Sequence, residues 1–410
     1  MITQKLNDQI TRIGPDTSAG AVHRHYWQPA ALTDEIAGQD APMLPVNLLG
    51  ERLVMLRDDT GALVLKTREA SADEAPTHHP AREDIRLVEG GATYPVVEKN
   101  GICFAYMGPG EPPAFPNFDC FRAPDSHVFA FKGLWECNWL QALEIGIDPG
   151  HASFLHRFLQ DEDPEDSYGK QFRDKAANTD MPMTQVLREY PRPDIEVDET
   201  AFGLKITALR HMENDLTHVR VTNQIFPSAI CIPMSREMII TQWHVPVDDE
   251  NCYWYTMFTS FDKPVNKELM REQRLKEHSL PDYAPLKNRS NHYHYNPEEQ
   301  KSLTYTGMGM DINVHDQWAV ESMGAIQDRT REHLGRGDAA IVRYRLMLRK
   351  AIKAVETGKL ERLPMQDRQE TPQIVGPLSN DAIADSDDWL AASVSADMER
   401  RRAAPWDATV

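Results

Sequence analysis

Two histidines and a carboxylate stand close together in the run Asp148-Pro-Gly-His151-Ala-Ser-Phe-Leu-His156. Two imidazoles this close are typical of a non-haem iron site, in which two histidines and one carboxylate leave positions on Fe(II) open for oxygen and substrate. The third ligand would be a carboxylate from far downstream, and Asp316, in Val-His-Asp-Gln-Trp-Ala-Val-Glu, is the candidate. These residues predict oxygen chemistry at a mononuclear metal centre.

The local structure must be unusual if both histidines are to reach one metal. On a regular helix, residues five apart are rotated by about 140°, so His151 and His156 would not share a face. The spacing therefore predicts an irregular or widened helix, such as a π-type turn. Asp148 before Pro149 is also typical of a helix start, with Asp as the cap and Pro at the first helical position. That structural role is compatible with a functional one.

The run from Asn138 to His156 resembles the iron-site segment of Rieske non-haem iron aromatic-ring oxygenase large (alpha) subunits, specifically the phthalate dioxygenase branch. The resemblance covers residues 1 to 360, because further stretches match in the same order: Thr11–Pro15, His25–Pro29, Tyr94–Gly108, Asp316–Gly324 and Asp328–Gly335. The sequence from Phe154 to Phe172 most resembles that of O-demethylases of lignin-derived aryl acids.

The resemblance implies a role for each matching residue. Fe(II) would be held by His151, His156 and Asp316. Asp148 would be an electron relay, because the matching carboxylate of the family bridges a metal histidine to the cluster of a neighbouring subunit in a trimeric ring. Asn138 and Glu144 are candidates to support the ligands from behind.

The resemblance also implies a reaction and partners. The substrate would be a carboxylated or methoxylated aromatic compound, hydroxylated or O-demethylated with O2. Electrons would come from a ferredoxin or reductase through a Rieske centre, and the assembly would be a homotrimer or a multiple of it.

The cluster that this family carries has no evident ligands here. A Rieske [2Fe-2S] cluster needs paired Cys-x-His and Cys-x-x-His motifs, and this chain has neither. Its five cysteines are Cys103, Cys120, Cys137, Cys231 and Cys252, none followed by a histidine two or three places later. The motifs would belong between Leu65 and Tyr94, where His78 and His79 are the sole possible ligands and are more typical of solvent-facing residues.

Three explanations of this gap stay open. The chain accepts electrons from a Rieske domain on another polypeptide, it is a shortened or incompletely represented version of a complete enzyme, or it has lost catalysis. The intact iron ligands favour the first two. A competing hypothesis is a non-catalytic helix-grip module that binds an apolar small molecule, although such a module has no use for three iron ligands.

The composition is typical of a soluble enzyme of the cytoplasm. The apolar runs are too short for a membrane span, the N-terminus lacks a signal peptide's apolar core, and an odd number of scattered cysteines does not indicate a disulfide framework. A net charge of −19 argues against nucleic acid, which is bound by clustered Lys and Arg. The acidic run Asp161–Asp166 is typical of a solubilising loop.

The pattern of the first part predicts a small antiparallel β domain over residues 1–122. Met43–Leu65 reads as a hairpin or meander with a turn at Asp58–Gly61, and Tyr94–Met107 as a second hairpin around Asn100-Gly101. This domain would be a Rieske-like remnant.

The second part predicts a larger domain over residues 123–361, so that the whole chain is α+β. Its alternating segments Asp194–Glu213, Thr217–Met234 and Arg236–Ser260 should form one curved antiparallel sheet, and Asp338–Gly358 should form a helix. The resemblance implies a helix-grip form, with the sheet wrapped around this helix and the ligand between them. Residues 362–410 form a polar tail, interpreted as a surface wrap or partly disordered.

The substrate cavity is the least determined part of the sequence. Asn223, Phe226, Met234 and Trp243 are expected to line it, although aromatic alternation of this kind is more often core. An anionic substrate in an acidic protein needs a local cation, and Arg188, Arg210 and Arg236 are the candidates. His292 and His294 would face one way on an extended segment and could bind metal or substrate, although such pairs are more often structural or surface-exposed.

Overall fold

The computed structural model describes residues 1–38, 42–71, 74–75, 77–160 and 181–410. The acidic run Asp161–Asp166 and the stretch Tyr168–Phe172, singled out in the sequence, lie outside the described residues. Two short helices open the chain, α1 (Gln4–Thr11) and α2 (Ser18–Arg24). Each begins at a threonine, Thr3 or Thr17, whose side chain accepts a hydrogen bond from a backbone N–H of the first turn.

The small domain contains a six-stranded sheet in the order β1-β6-β5-β4-β3-β2, antiparallel throughout. Its strands are β1 (Trp27–Leu32), β2 (Leu44–Leu48), β3 (Glu51–Arg57), β4 (Leu63–Thr67), β5 (Thr93–Lys99) and β6 (Ile102–Tyr106). Asn100 and Gly101 both have positive φ, 44° and 94°, in the tight turn between β5 and β6. Both predictions are confirmed, because β2, β3 and β4 pair as an antiparallel meander and β5 pairs with β6 around the Asn100-Gly101 turn.

The large domain is built on a second antiparallel sheet in the order β8-β14-β13-β12-β11-β10-β9. The strands are β7 (Asn117–Phe118, outside this sheet), β8 (Val128–Trp135), β9 (Asp194–Thr200), β10 (Gly203–His211), β11 (Leu216–Ile225), β12 (Ala229–Pro233), β13 (Met238–Pro246) and β14 (Cys252–Ser260). Each of the three long segments predicted from the sequence therefore folds as two strands joined by a turn. The α+β class and the antiparallel sheets are confirmed.

Helices cover the ends and one face of this sheet. They are α3 (Asp119–Arg122), α4 (Trp139–Gly146), α5 (His151–Phe154), α6 (Met183–Glu189), α7 (Lys267–Leu275), α8 (Pro297–Ser302), α9 (Ile312–Glu321) and α10 (Ala339–Glu356). A short hairpin of two strands with two residues each, β15 (His278–Ser279) and β16 (Ala284–Pro285), follows α7. The predicted helix is confirmed as α10, which packs against α2, β9 and β10. The Tyr344 hydroxyl on α10 donates to the Pro227 carbonyl at 2.7 Å.

The C-terminal tail is folded and belongs to the large sheet, so the expectation of partial disorder is wrong. It contains β17 (Val375–Gly376), β18 (Asp381–Asp385) and α11 (Trp389–Ala403). Strand β18 pairs with β11, and β17 pairs with β7. Arg401 of α11 is 3% exposed and binds the buried carboxylates of Asp119 and Asp397. Buried ion pairs of this kind need matched partners, and here they fix the tail to the body of the domain.

The two sheets share one continuous apolar core. Phe104 of the small sheet packs edge-to-face against Trp243 of the large sheet, with ring centroids 5.6 Å apart. The buried core runs through both domains and includes residues of α1, α2, α4 and α10. Among the described residues, no helix is long and apolar enough to cross a membrane.

Candidate metal centre and substrate cavity

His151 is oriented by the residue three places before it. The Asp148 carboxylate accepts hydrogen bonds from the backbone N–H groups of Gly150 (2.8 Å) and His151 (3.2 Å), so it caps this turn. Helix α5 itself begins at His151, so the prediction of Pro149 at the first helical position is wrong. The Asp148 carbonyl lies against Nδ1 of the His151 ring. Because a carbonyl can only accept, Nδ1 carries the proton, and Nε2 keeps a lone pair for a metal.

His156 reaches the same place because the helix stops early. Helix α5 is a single turn that ends at Phe154, and His156 follows in a turn. The two imidazole rings meet at an angle of 84° with centroids 5.0 Å apart. The predicted irregularity is therefore present, although it arises from early termination of the helix and not from a π-type turn.

Asp316 comes from the middle of α9, a helix that is fixed at its start. The Asp311 carboxylate accepts from the backbone N–H of Asn313 at 3.0 Å and from Arg274 Nη2 at 2.8 Å. Asp316 Oδ1 lies 3.6 Å from His151 Nε2 and 3.1 Å from His156 Nε2. One ligand atom from each of the three residues lies within 4.8 Å of the others.

The electrostatics of this group suit a cation. Burial raises the pKa of Asp316 to about 6, although the neighbouring His151 acts in the opposite direction. Burial also lowers the pKa of His151, which favours the neutral imidazole that a metal requires. In the part of the chain that the structure describes, Asp316 Oδ1 is buried and has no hydrogen-bond donor. Two imidazoles and one under-satisfied carboxylate are a donor set that fits mononuclear Fe(II).

A [2Fe-2S] cluster does not fit the residues present. All five cysteines are buried, and none belongs to residues 66–93, where the cluster would be expected. The described residues of that segment form a loop in which Arg68 binds the Glu74 carboxylate. His79 lies in a small pocket that also contains Lys132, and burial lowers its pKa. His78 is exposed.

A cavity lies between the large sheet and the three metal-site residues. Its metal side is lined by His151, His156, Asp316 and Asp148, and α6 contributes Met183, Thr184 and Leu187. The sheet side is lined by Ala208, Arg220, Thr222, Ile232, Met234, Ile240, Gln242 and Phe258. No described residue of α10 lines this cavity, so the expectation that the ligand lies between sheet and C-terminal helix is wrong. The walls next to the sheet are α5, α6 and α9.

Successive residues of a strand point to opposite faces of the sheet, and on β11 and β13 the predicted residues lie on the face away from the cavity. Arg220 and Thr222 of β11 and Gln242 of β13 face the cavity, whereas the odd-numbered Asn223 and Trp243 face the other way. The Asn223 amide donates to the Leu378 carbonyl of the tail at 2.6 Å, and Trp243 packs against Phe104.

Phe226 packs against Tyr26 and Tyr344, away from the cavity. Of the four apolar or amide residues expected in the cavity, only Met234 lines it. The expectation for Asn223, Phe226 and Trp243 is therefore wrong for this cavity. Nearly every residue of β11 and β13 is buried, so their hydrophobic pattern does not distinguish the inner set from the outer one.

The cation that lines the cavity is Arg220, which sequence reasoning missed. Its Nη1 donates to Asp381 Oδ2 at 2.9 Å, and its Nη2 donates to the Pro233 carbonyl. Of the three arginines expected there, Arg188 donates to the Phe158 carbonyl and Arg236 is exposed in the turn before β13. Neither lines the cavity.

Arg210 lies behind the metal site and not in the cavity wall. It is 1% exposed, and its Nη2 contacts the Pro149 carbonyl at 3.3 Å and Ser153 Oγ at 3.2 Å. These two contacts flank His151. The structure thus places Arg210 against the turn that carries a candidate ligand.

Asn138 and Glu144 have structural partners away from the three candidate ligands. The Asn138 amide donates to the carbonyls of Thr11 and Asp249, and its oxygen caps α4. The buried Glu144 carboxylate is bound by Arg329 and Arg345. Their expected role in supporting the metal ligands is not supported by these contacts.

His292 and His294 do not lie on an extended segment. Both have positive φ, 53° and 52°, within a tight helical turn, and both are exposed. Among the described residues, His151, His156 and Asp316 are the only group of three such side chains close enough to share a metal ion.

Comparison with known proteins gives a consistent set of relatives. A family described as "LigXa C-terminal domain like" matches residues 105–405. The phthalate 4,5-dioxygenase oxygenase subunit of Pseudomonas putida is 28% identical over 399 residues, covering 88% of each chain. The 3-chlorobenzoate-3,4-dioxygenase oxygenase subunit of Comamonas testosteroni is 28% identical over 409 residues, covering 87% of this chain and 90% of its own.

An O-demethylating protein is also similar to this chain. The 5,5'-dehydrodivanillate O-demethylase oxygenase subunit of Sphingobium sp. (strain NBRC 103272 / SYK-6) is 23% identical over 401 residues, covering 88% of this chain and 82% of its own. The similarity therefore extends through both sheets and the metal-site segment.

Proposed function

The chain belongs to the LigXa C-terminal-domain-like family and is a Rieske-type oxygenase subunit, and from this premise we propose that it binds one Fe(II) through His151, His156 and Asp316. With O2 it would hydroxylate or O-demethylate a carboxylated or methoxylated aromatic compound. The observation that carries the proposal is the meeting of three ligand atoms within 4.8 Å at one wall of a cavity.

The protein's part in this reaction is to place the substrate beside the metal and exclude water. Bound Fe(II) supplies the oxygen chemistry. Ile240 and Phe258 offer an apolar wall for an aromatic ring. The Gln242 Oε1 already accepts from Trp254 Nε1 at 2.6 Å, so Gln242 offers N–H donors to an oxygen substituent of the ring. Arg220 is the cation on the sheet side of the cavity.

The names of the relatives support an aromatic acid as substrate. Phthalate and 3-chlorobenzoate are aromatic carboxylates, and dehydrodivanillate carries methoxy groups, from which an O-demethylase removes the methyl carbon. A carboxylate needs a cationic partner in a partly desolvated cavity. Arg220 provides one.

Electrons must come from outside the substrate and the chain's own iron. Placing one atom of O2 in a product and reducing the other to water consumes two electrons and two protons. We propose a ferredoxin or reductase as the donor, and Asp148 as the relay to the metal site. Asp148 supports this role because it lines the cavity and contacts His151 through its carboxylate and its carbonyl.

The test is turnover with isotopically labelled dioxygen. Fe(II)-loaded protein and a chemical reductant are supplied with benzoate, phthalate and a methoxybenzoate, and products are analysed by mass spectrometry. We expect labelled oxygen in a ring-hydroxylated product, or formaldehyde from the methoxybenzoate. Asp316→Ala should lose both iron and product. Asp148→Asn should keep the iron, because an amide oxygen still caps the turn, but lose turnover when a protein donor replaces the chemical reductant.

Two results would contradict the proposal. One is a wild-type protein that holds no iron after anaerobic loading, which would favour a binding module or an inactive homologue. The other is equal loss of iron in Asp148→Asn and Asp316→Ala, which would remove the relay role from Asp148.

A further inference from the structure

The part of the large sheet next to the cavity carries more buried positive charge than negative charge, because Arg220 lines the cavity and Arg210 lies behind the metal-site turn. Arg210 on β10 is 1% exposed, and Arg220 on the neighbouring β11 lines the cavity. Asp381, 4% exposed, is the carboxylate that Arg220 binds. His218 lies opposite Arg210 in the strand pairing, and burial holds its pKa well below the ordinary value, so it adds no charge.

The hydrogen bonds of the Arg210 guanidinium group are incomplete, whereas Arg220 donates to Asp381 and to the Pro233 carbonyl. Arg210 Nη2 contacts two neutral oxygens, those of Pro149 and Ser153. Within the described residues, Arg210 Nε and Nη1 are buried with no hydrogen-bond partner. Burying a cation without a full set of partners costs free energy of desolvation. An anionic ligand in the cavity, in addition to the Asp381 carboxylate, would lower that cost.

The remaining carboxylates near the cavity have other partners. Both oxygens of Asp148 accept backbone N–H groups, and Asp316 faces the two histidines. The net charge of Arg210, Arg220 and Asp381 beside the cavity is therefore that of one guanidinium. It matches one carboxylate of a ligand.

The carboxylate that sets this balance comes from the C-terminal strand. Strand β12 pairs with β11 only at Asn223–Ile225, which leaves the earlier part of that edge to β18. The register places Asp381 directly opposite Arg220. A slip of one residue would turn Asp381 to the other face of the sheet.

We propose that Arg220 binds the single carboxylate of an aromatic monocarboxylate, and that Asp381 makes the cavity select monocarboxylates over dicarboxylates. This inference rests on the proposed function and names its substrate class. Arg220 lies on the sheet wall and the candidate ligands lie on α5, α9 and the turn after α5, so a ring anchored at Arg220 extends towards the metal. Asp381 acts through Arg220, as a positioning and charge-balancing residue.

The experiment measures binding and not turnover. Benzoate, its neutral methyl ester and phthalate are titrated into the Fe(II)-loaded protein under anaerobic conditions, by calorimetry. The wild type should bind benzoate more tightly than the other two. Arg220→Met should weaken benzoate by about tenfold or more and leave methyl benzoate unchanged, because a charge-assisted hydrogen bond is lost only for the anion. Arg220→Lys should keep the preference for benzoate over its ester.

The variants of the C-terminal strand separate selectivity from folding. Asp381→Asn should raise the affinity for phthalate relative to benzoate by about tenfold, because it leaves the charges of both Arg210 and Arg220 beside the cavity without the buried carboxylate that offsets one of them. Asp381→Glu should restore the wild-type ratio. Asp385→Asn, an exposed position four residues along the same strand, should leave the ratio unchanged. Thermal unfolding of each variant reports its folded state.

Several results would overturn the inference. They are equal binding of benzoate and methyl benzoate by the wild type, wild-type benzoate affinity in Arg220→Met, and an unchanged phthalate to benzoate ratio in folded Asp381→Asn. Any of these with one iron still bound per chain would leave the proposed function standing. Loss of iron binding in the wild type would instead remove the proposed function.

Discussion

Asp148 acts on His151 with two different groups. Its carboxylate caps the turn, and its backbone carbonyl orients the imidazole so that Nε2 faces Asp316. The hydrogen bond to the second ring nitrogen of a metal-binding histidine fixes its tautomer and direction. Because that bond comes from the main chain, a change of the Asp148 side chain should disturb electron delivery more than iron binding.

Arg210 is expected to control iron affinity without touching the metal. One guanidinium holds both Pro149 and Ser153, on either side of His151. Arg210→Met should weaken anaerobic Fe(II) binding by about thirtyfold, from the loss of two hydrogen bonds at about 1 kcal/mol each. Ser153→Ala should have a smaller effect, and Arg210→Lys should recover part of the affinity.

The matched control is Arg343→Met, which removes an exposed arginine of α10. It should bind Fe(II) as the wild type does. Wild-type affinity in a folded Arg210→Met protein would show that the contacts of Arg210 do not position His151.

At the scale of elements, local signals predicted local structure. The Asn100-Gly101 turn, the alternating strands and the amphipathic α10 were all foreseen, because turn residues and periodicity act over a few residues. The incompatibility of an i to i+5 pair with a regular helix predicted the irregular turn at His156. The mechanism differed, since α5 ends at Phe154.

What could not be foreseen depends on contacts between distant elements. When both faces of a strand are buried, its two alternating sets of residues have similar hydrophobic patterns. The sequence pattern therefore does not distinguish Trp243 from Gln242, and it is Gln242 that lines the cavity. Strand β18 lies in a polar tail whose local pattern does not predict a strand. It forms because β12 is too short to pair along the whole edge of β11, which leaves the earlier part of that edge to β18. The position of Arg220 in the cavity wall, opposite Asp381, depends on this strand pairing and not on a local pattern.

At the scale of the whole molecule, the two sheets and the N-terminal helices form one core. Trp139 of α4 donates from its indole to the Thr11 carbonyl of α1 at 3.1 Å, and His23 of α2 packs against the same indole. Changes in the first helices should therefore reach α4, which directly precedes the metal-site turn.

Buried neutral histidines should make stability depend on pH. Burial lowers the pKa of His23 and His244 to about 3 and that of His278 to about 4. An unfolded chain protonates its histidines near pH 6.5, so it binds more protons than the folded chain below that pH. Stability is then fully present above pH 6.5 and is lost as the pH falls towards about 4 for His278 and about 3 for His23 and His244. At pH 5, protonation of each of these histidines in the unfolded chain lowers the free energy of unfolding by about 2 kcal/mol.

Urea unfolding at pH 7.5 and pH 5 measures this loss. His244→Leu should lose less stability over the same interval, by about the contribution of one histidine. An identical difference between the two pH values in wild type and His244→Leu would show that His244 is not neutral and buried in solution.

The most direct test of the metal centre is an anaerobic Fe(II) titration of the whole chain, followed by removal of loose metal and measurement of iron and acid-labile sulfide. We expect one iron and no sulfide per chain, with iron lost in His151→Ala and Asp316→Ala and retained in the exposed control His292→Ala. Stoichiometric iron in Asp316→Ala, or two further irons with sulfide in the wild type, would contradict it.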